Sequence, residues 1–313
     1  MDKVITIQQG DAVELFKNIK SATIDLIVAD PPYNLSKDYG NNSDNRSFED
    51  YIAFTKQWIS EANRVLKPSG TIYVFMGFRF ISYLYQILEV DNGFHFNNWI
   101  CWHYTQGVGK KRGFSARHDD ILMFTKTSDF TFNIDDIRVP QKFYRSINNM
   151  RGANPGDVWE FSHIHYCQNN RQNHPTQKPE GLIERMVLAS SNKGDTVLDP
   201  FAGSGTTIRV CQQLERNCIG FELNPEYVEL IQARLAEPFL SFDSIDPKMQ
   251  RVPNDLNDEK IRDEYLKNHI QWFLKNHDDA REEFEKEVER KYGHKIRANK
   301  FAIQESIFDE AGR

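Results

Sequence analysis

Asp30-Pro31-Pro32-Tyr33 is costly as structure and useful as chemistry. It follows Thr23-Ile24-Asp25-Leu26-Ile27-Val28-Ala29, a nearly continuous apolar run that reads as a short strand buried in a parallel sheet. The prolines end that strand and remove two N–H donors, leaving carbonyl acceptors and a carboxylate at its carboxyl end. An aromatic amino group such as adenine N6 needs such acceptors, because its lone pair is delocalised into the ring. The Asp30 carboxylate and the Pro31 carbonyl could take the two hydrogens, pull the nitrogen towards tetrahedral geometry and aim its lone pair at an electrophilic methyl group. Tyr33 would stack on the base. The competing reading is a rigid turn after a strand.

A second loop, Phe201-Ala202-Gly203-Ser204-Gly205-Thr206-Thr207, follows the strand Thr196-Val197-Leu198-Asp199. Gly203 and Gly205 let backbone approach a ligand closely, and Glu222, 19 residues beyond Gly203, suits a ribose diol. A dinucleotide fingerprint wants a third glycine three residues after Gly205, where Ile208 stands, so a nucleoside cofactor without phosphates fits better than a pyrophosphate. The alternative is a glycine turn that serves helix packing alone.

Strands and helices alternate around both loops, which predicts a largely parallel sheet with both loops at carboxyl ends, facing one pocket. Residues 3–7 read as a strand, broken at Gly10-Asp11 and followed by a helix carrying Val13, Leu15, Phe16 and Ile19. Helical spacing over 49–66 stops at Lys67-Pro68-Ser69-Gly70 before a strand at 71–75. A helix over 181–189 precedes the glycine-loop unit, which ends in a strand at 218–222. The expected domains are a catalytic half (1–103), a target-recognition insert (104–173) where regular alternation is lost, a cofactor-binding half (174–238) and a helical appendage (239–313).

The 313 residues carry a net charge of −6, which argues against nucleic-acid binding by the whole surface. Charge is instead concentrated locally: residues 100–151 hold nine Lys and Arg against five Asp. Candidate DNA contacts are Lys110, Lys111 and Arg112, with Arg138, Lys142, Arg145 and Arg151 interleaved with Phe143 and Tyr144. Gln141, Asn148 and Asn149 could read adenine edges. Each of these is otherwise a solvated loop residue. Cys101, Cys167, Cys211 and Cys218 match neither a zinc pair nor a disulfide framework, so no metal is expected. No apolar run approaches membrane-spanning length and no signal-peptide core follows Met1, so a cytoplasmic protein is expected. Apolar spacing over 261–274 in the tail suggests packing on the catalytic domain or on a second copy, as a homodimer.

Together the motifs resemble the amino-group DNA methyltransferases. The order, Asp-Pro-Pro-Tyr first and Phe-x-Gly-x-Gly later with an insert between, is similar to the β class. The likeness covers about residues 3–235 and includes His174-Pro175-Thr176-Gln177-Lys178-Pro179. It implies a Rossmann-like α/β methyltransferase fold, S-adenosylmethionine as cofactor and a base flipped out of double-stranded DNA as substrate. It further implies that Phe201, Gly203, Gly205 and Thr206 surround the cofactor near Asp199. Glu222 would bind its ribose, Asp11 would lie near its adenine, and Lys178 would meet its carboxylate. Asp11 is equally well read as a helix N-cap. In this group Asp at the first catalytic position goes with N6 of adenine and Ser with N4 of cytosine, which favours adenine here. An N4-cytosine or RNA methyltransferase, and a DNA-binding regulator with a methyltransferase shell, are the alternatives. A cognate restriction endonuclease is a possible partner.

Overall fold

The computed structural model describes residues 4–35, 44–105, 107, 109–139, 153–164, 172 and 174–238. Most belong to one compact unit drawn from residues 1–137 and 155–249. Arg138, Val139, Ala153 and Asn154 belong to a second unit, in which Val139 and Ala153 form an antiparallel bridge. Among the described residues no helix is long and apolar enough to cross a membrane.

Among the described residues, the first unit is built on eight strands. They are β1 (Ile5–Gln9), β2 (Ile24–Ala29), β3 (Leu66–Met76), β4 (His95–His103), β5 (His118–Thr125), β6 (Val158–Glu160), β7 (Thr196–Asp199) and β8 (Asn217–Glu222). They lie in the order β1-β8-β7-β2-β3-β5-β4-β6. All neighbouring pairs are parallel except those made by β5, which is antiparallel to β3 and β4. The expected Rossmann-like, mostly parallel α/β architecture is therefore present.

Alternation explains why the central strands show no polar face. Ile27 and Ala29 of β2, with Ile72 and Val74 of β3, enter a core containing Trp58, Ile59 and Ala62 of helix α2 (Phe48–Val65). Leu26, Val28, Tyr73 and Phe75 point the other way, into a core with Leu182 and Met186 of α4 (Glu180–Ser190) and Ile208 of α5 (Thr206–Gln213). Both faces are buried, so successive side chains must all be apolar. The remaining α-helices among the described residues are α1 (Ala12–Phe16), α3 (Ile81–Gln86) and α6 (Pro225–Ala236).

Two expectations are corrected. Lys67-Pro68-Ser69-Gly70 is not a stop before β3 but an irregularity within it, since Ile24 pairs with Leu66 and Leu26 with Thr71. Lys67 Nζ lies 2.7 Å from Asp25 Oδ1, which ties the outlooped residues back to β2. The segment 104–173 is not wholly an insert, because His118–Thr125 forms β5 between β3 and β4. Its apolar run, Ile121-Leu122-Met123-Phe124, is buried on both faces and so carries no alternation by which a strand could be read. Residues 239–313, including the amphipathic stretch 261–274, lie outside the described residues.

A buried ionic cluster joins the helices behind the glycine loop. Glu180 Oε1 lies 2.5 Å from Arg234 Nη2 and 3.2 Å from Arg209 Nε, with all three side chains nearly inaccessible. Arg234 Nη1 also donates to the Ser204 carbonyl (2.9 Å) and to Thr206 Oγ1 (3.1 Å). Desolvation lowers the pKa of Arg234, and the Glu180 charge opposes that effect. Glu180→Gln leaves two guanidinium groups buried without a counter-charge and is expected to cost about 3–5 kcal/mol. Urea denaturation followed by circular dichroism should show the midpoint fall; an unchanged midpoint would mean that the cluster carries no net stability.

Candidate active site

Because β1, β2, β7 and β8 run parallel, the turns at their carboxyl ends meet along one edge of the sheet. One cleft there is lined by Asp11, Asp30, Pro32, Lys178, Asp199, Phe201, Gly203, Thr206 and Glu222, from segments far apart in the chain. Three other sequence candidates are not among the residues that line it. Pro31 is buried, and the Tyr33 ring has Lys178 Nζ 5.4 Å from its centroid. Gly205 turns the chain into α5 at φ +75°, where a Cβ would sit 2.8 Å from Ile231 Cγ1. Packing as well as close approach therefore requires this glycine.

The glycine loop is held by carboxylates. Glu222 accepts from the Gly203 N–H (2.7 Å) and from the Asn224 N–H (2.8 Å). Burial raises its pKa, while these backbone donors oppose the shift. Asp199 accepts from the Phe201 N–H at 3.0 Å. The Phe201 ring meets Trp58 edge-on at 5.4 Å and Phe54 at 6.1 Å, so α2 sets the position of a cleft wall. Asp11 accepts from the Val13 and Glu14 N–H groups as the N-cap of α1, and it also lines the cleft. The two readings of this residue coexist.

Around Asp30-Pro31-Pro32-Tyr33 the structure adds contacts that the motif does not supply. Lys178 Nζ lies 2.5 Å from Asp30 Oδ2. Asp30 Oδ1 is buried and meets no hydrogen-bond partner among the described residues. The Tyr51 hydroxyl donates to the Pro32 carbonyl at 2.8 Å. Beyond Tyr33, Asn34 adopts φ +56°, and its backbone N–H and that of Leu35 donate to the Asp44 carboxylate at 2.5 and 3.0 Å. The Asn34 side chain pairs with the Arg46 backbone (2.7 and 3.0 Å). The chain thus leaves after Leu35 and returns at Asp44 to brace the loop it left. Arg46 then places its guanidinium 3.9 Å from the Phe54 ring centroid, on the cleft wall. Asn34, Asp44, Arg46 and Tyr51 escaped the sequence reading. An asparagine directly after the motif, a residue type that tolerates left-handed backbone, was the one available signal.

Residues 24–233 match the family model described as DNA methylase, the N6/N4 methyltransferase family. The type II methyltransferase M.HpaI of Haemophilus parainfluenzae is 61% identical over 288 residues, covering 92% of each chain. The chain belongs to the DNA methylase family. The DNA adenine methyltransferase YhdJ of Escherichia coli is 38% identical, across 74% of this methylase and 82% of YhdJ. Among solved structures, the M1.HpyAVI complex with S-adenosylmethionine superposes with a TM-score of 0.55 at 27% identity, covering 75% of the methylase and all of that chain. The cytosine-N4-specific PvuII DNA methyltransferase shares the fold, with a TM-score of 0.62 at 20% identity over 79% of the methylase and 92% of its own chain.

The methylase's cleft fits a cationic nucleoside better than a phosphate. Asp11, Asp30, Asp199 and Glu222 place four carboxylates on its wall against the cations of Arg46 and Lys178. A pyrophosphate would be repelled, whereas a sulfonium with an amino-acid end meets complementary charge. Of the candidate DNA contacts, Lys110, Lys111 and Arg112 are exposed on the β4–β5 turn, and Arg138 belongs to the second unit. Lys142, Arg145 and Arg151, with Gln141, Phe143, Tyr144, Asn148 and Asn149, lie outside the described residues.

Burial raises the Asp199 carboxyl to about 7, assisted by the charges of Asp30 and Glu222 and opposed by hydrogen bonds from Thr207 and Phe201. The folded protein therefore holds this proton more tightly than the unfolded chain, and the stability linked to it is lost as pH rises through about 7. Asp199→Asn, which mimics the protonated form, is expected to melt above the wild type at pH 8 and close to it at pH 4. Equal melting temperatures at pH 8, measured by calorimetry without cofactor, would refute a strained carboxylate.

Proposed function

We propose that this DNA methyltransferase transfers the methyl group of S-adenosylmethionine to N6 of an adenine drawn out of the DNA duplex. The observation that carries the reading is Asp30. One carboxylate oxygen is fixed by Lys178, and the other is buried without a hydrogen-bond partner among the described residues, on a side chain that lines the cleft. A buried acceptor left open is costly in the resting protein and suits a donor brought by the substrate.

The cofactor supplies an electrophilic methyl on a sulfonium. The chain's own residues do the rest. Asp30 Oδ1 accepts one amino hydrogen. Because Tyr51 already occupies the Pro32 carbonyl, the Pro31 carbonyl is the loop's acceptor for the second. Together they direct the nitrogen lone pair towards the methyl. Tyr33, beside Lys178, offers the base a stacking surface. Lys178 acts on the carboxylate rather than on the cofactor, which leaves Arg46 as the cation for the cofactor's carboxylate. Glu222 and the Gly203 turn receive the ribose, and Asp11 lies on the wall nearer the adenine. The aspartate at the head of the tetrapeptide favours adenine over cytosine, as does the likeness to YhdJ. The high identity to a type II methyltransferase supports a role beside a cognate endonuclease.

Asp30→Ala is expected to abolish transfer of tritiated methyl to DNA while leaving cofactor affinity close to wild type. Lys178→Ala should lower kcat about 100-fold or more with a modest change in the KM for S-adenosylmethionine. Arg46→Ala should chiefly raise that KM; the reverse pattern would return the cofactor carboxylate to Lys178. The nucleoside itself is read by digesting modified duplex DNA for mass spectrometry. N4-methylcytosine there would sink the adenine assignment.

A further inference from the structure

The β4–β5 connection carries an unusual side chain. The ladder closes at the His103–His118 pair and at the bond from the Tyr104 N–H to the Arg117 carbonyl (2.9 Å), and residues 105–117 connect the two strands in sequence. Those residues include Lys110, Lys111, Arg112 and Arg117, with no acidic residue. Phe114 stands among them with 99% of its surface exposed. A bond from the Lys110 N–H to Ser115 Oγ (2.9 Å) closes the tip, and Gly113, at φ +86°, lets the chain reverse immediately before Phe114. The turn leaves from the carboxyl end of β4. That strand runs parallel to β2 and β3, because β5 is antiparallel to both β3 and β4. Phe114 therefore projects from the same edge of the sheet as Asp30.

A lone exposed phenylalanine needs no explanation on an ordinary surface. Here it is surrounded by cations that match a phosphate backbone, on the edge where the substrate must enter. When a base leaves the duplex, its neighbours lose stacking and a gap opens, and apolar side chains inserted between base steps fill such gaps.

We infer that Phe114 is the wedge that occupies the base stack when the target nucleotide is drawn towards Asp30, with Lys110, Lys111 and Arg112 holding the flanking phosphates. This rests on the reading of an extruded base, but not on which base carries the methyl. The wedge stabilises the extruded state and makes no contact with the cofactor.

The test uses the full-length enzyme and two synthetic duplexes carrying the sequence that sequencing of enzyme-modified plasmid DNA identifies. One is fully paired; in the other the nucleotide opposite the target lacks its base, which removes the pairing that extrusion must break. Single-turnover methylation by Phe114→Ala is expected to be slower than wild type by about tenfold or more on the paired duplex, and within about threefold on the abasic one. Phe114→Trp should retain activity on both, and cofactor affinity should be unchanged in both variants. If Phe114→Ala matched the wild type on the paired duplex, or were equally slow on both duplexes, Phe114 would not be a wedge. If the wild type methylated only single strands, the extruded-base reading would fall and the wedge with it.

Discussion

The contact between Lys178 and Asp30 joins residues 148 apart in sequence and restricts what the Asp30 carboxylate can do at the cleft. A free carboxylate at the mouth of a cleft rotates and is solvated on both oxygens. With one oxygen held by an ammonium group, the other keeps one direction and remains open to a hydrogen-bond donor. That restriction turns a common side chain into an oriented acceptor, and much of the molecule serves to maintain it. Lys178 sits directly before α4, whose first residue, Glu180, is gripped by Arg209 and Arg234. The same Arg234 binds the Ser204 carbonyl of the glycine loop. The Lys178–Asp30 pair and the glycine loop are thus supported by one buried polar network.

The approach of the two halves follows from sheet order. β2, which leads into Asp30-Pro31-Pro32-Tyr33, lies between β3 and β7, and β7 leads into the glycine loop. Neighbouring parallel strands necessarily deliver their carboxyl-terminal turns side by side. The loop after Tyr33 needs a further device, since two prolines cannot be braced through their own N–H groups. The chain supplies it by returning with Asp44 to accept the Asn34 and Leu35 N–H groups and with Tyr51 to bind the Pro32 carbonyl.

Charge is divided by task. Carboxylates predominate in the cleft, where a cationic methyl donor belongs, while the β4–β5 turn carries cations without acids. A protein that is acidic overall can bind a polyanion in this way, because the phosphate backbone is met at a local surface and counterion release depends on the contacts made there.

Methyl transfer and the chain order of the parts were legible in the residues alone. The Asp-Pro-Pro-Tyr loop, the Gly203 turn and Glu222 were legible because each depends on residue types that few other roles demand. The doubly buried β2 was legible as an apolar run ended by prolines, whereas β5, equally buried, was not. Tertiary structure decided what distance in sequence conceals. It brought Lys178 to Asp30, and it made β5 part of the central sheet. It also set Arg46 on the cleft wall through a loop closed by Asn34 and Asp44. An ion pair or a carboxylate brace has no periodicity. Its partners are chosen by the folding of strands that only the whole sheet brings together, so no local pattern could have announced them.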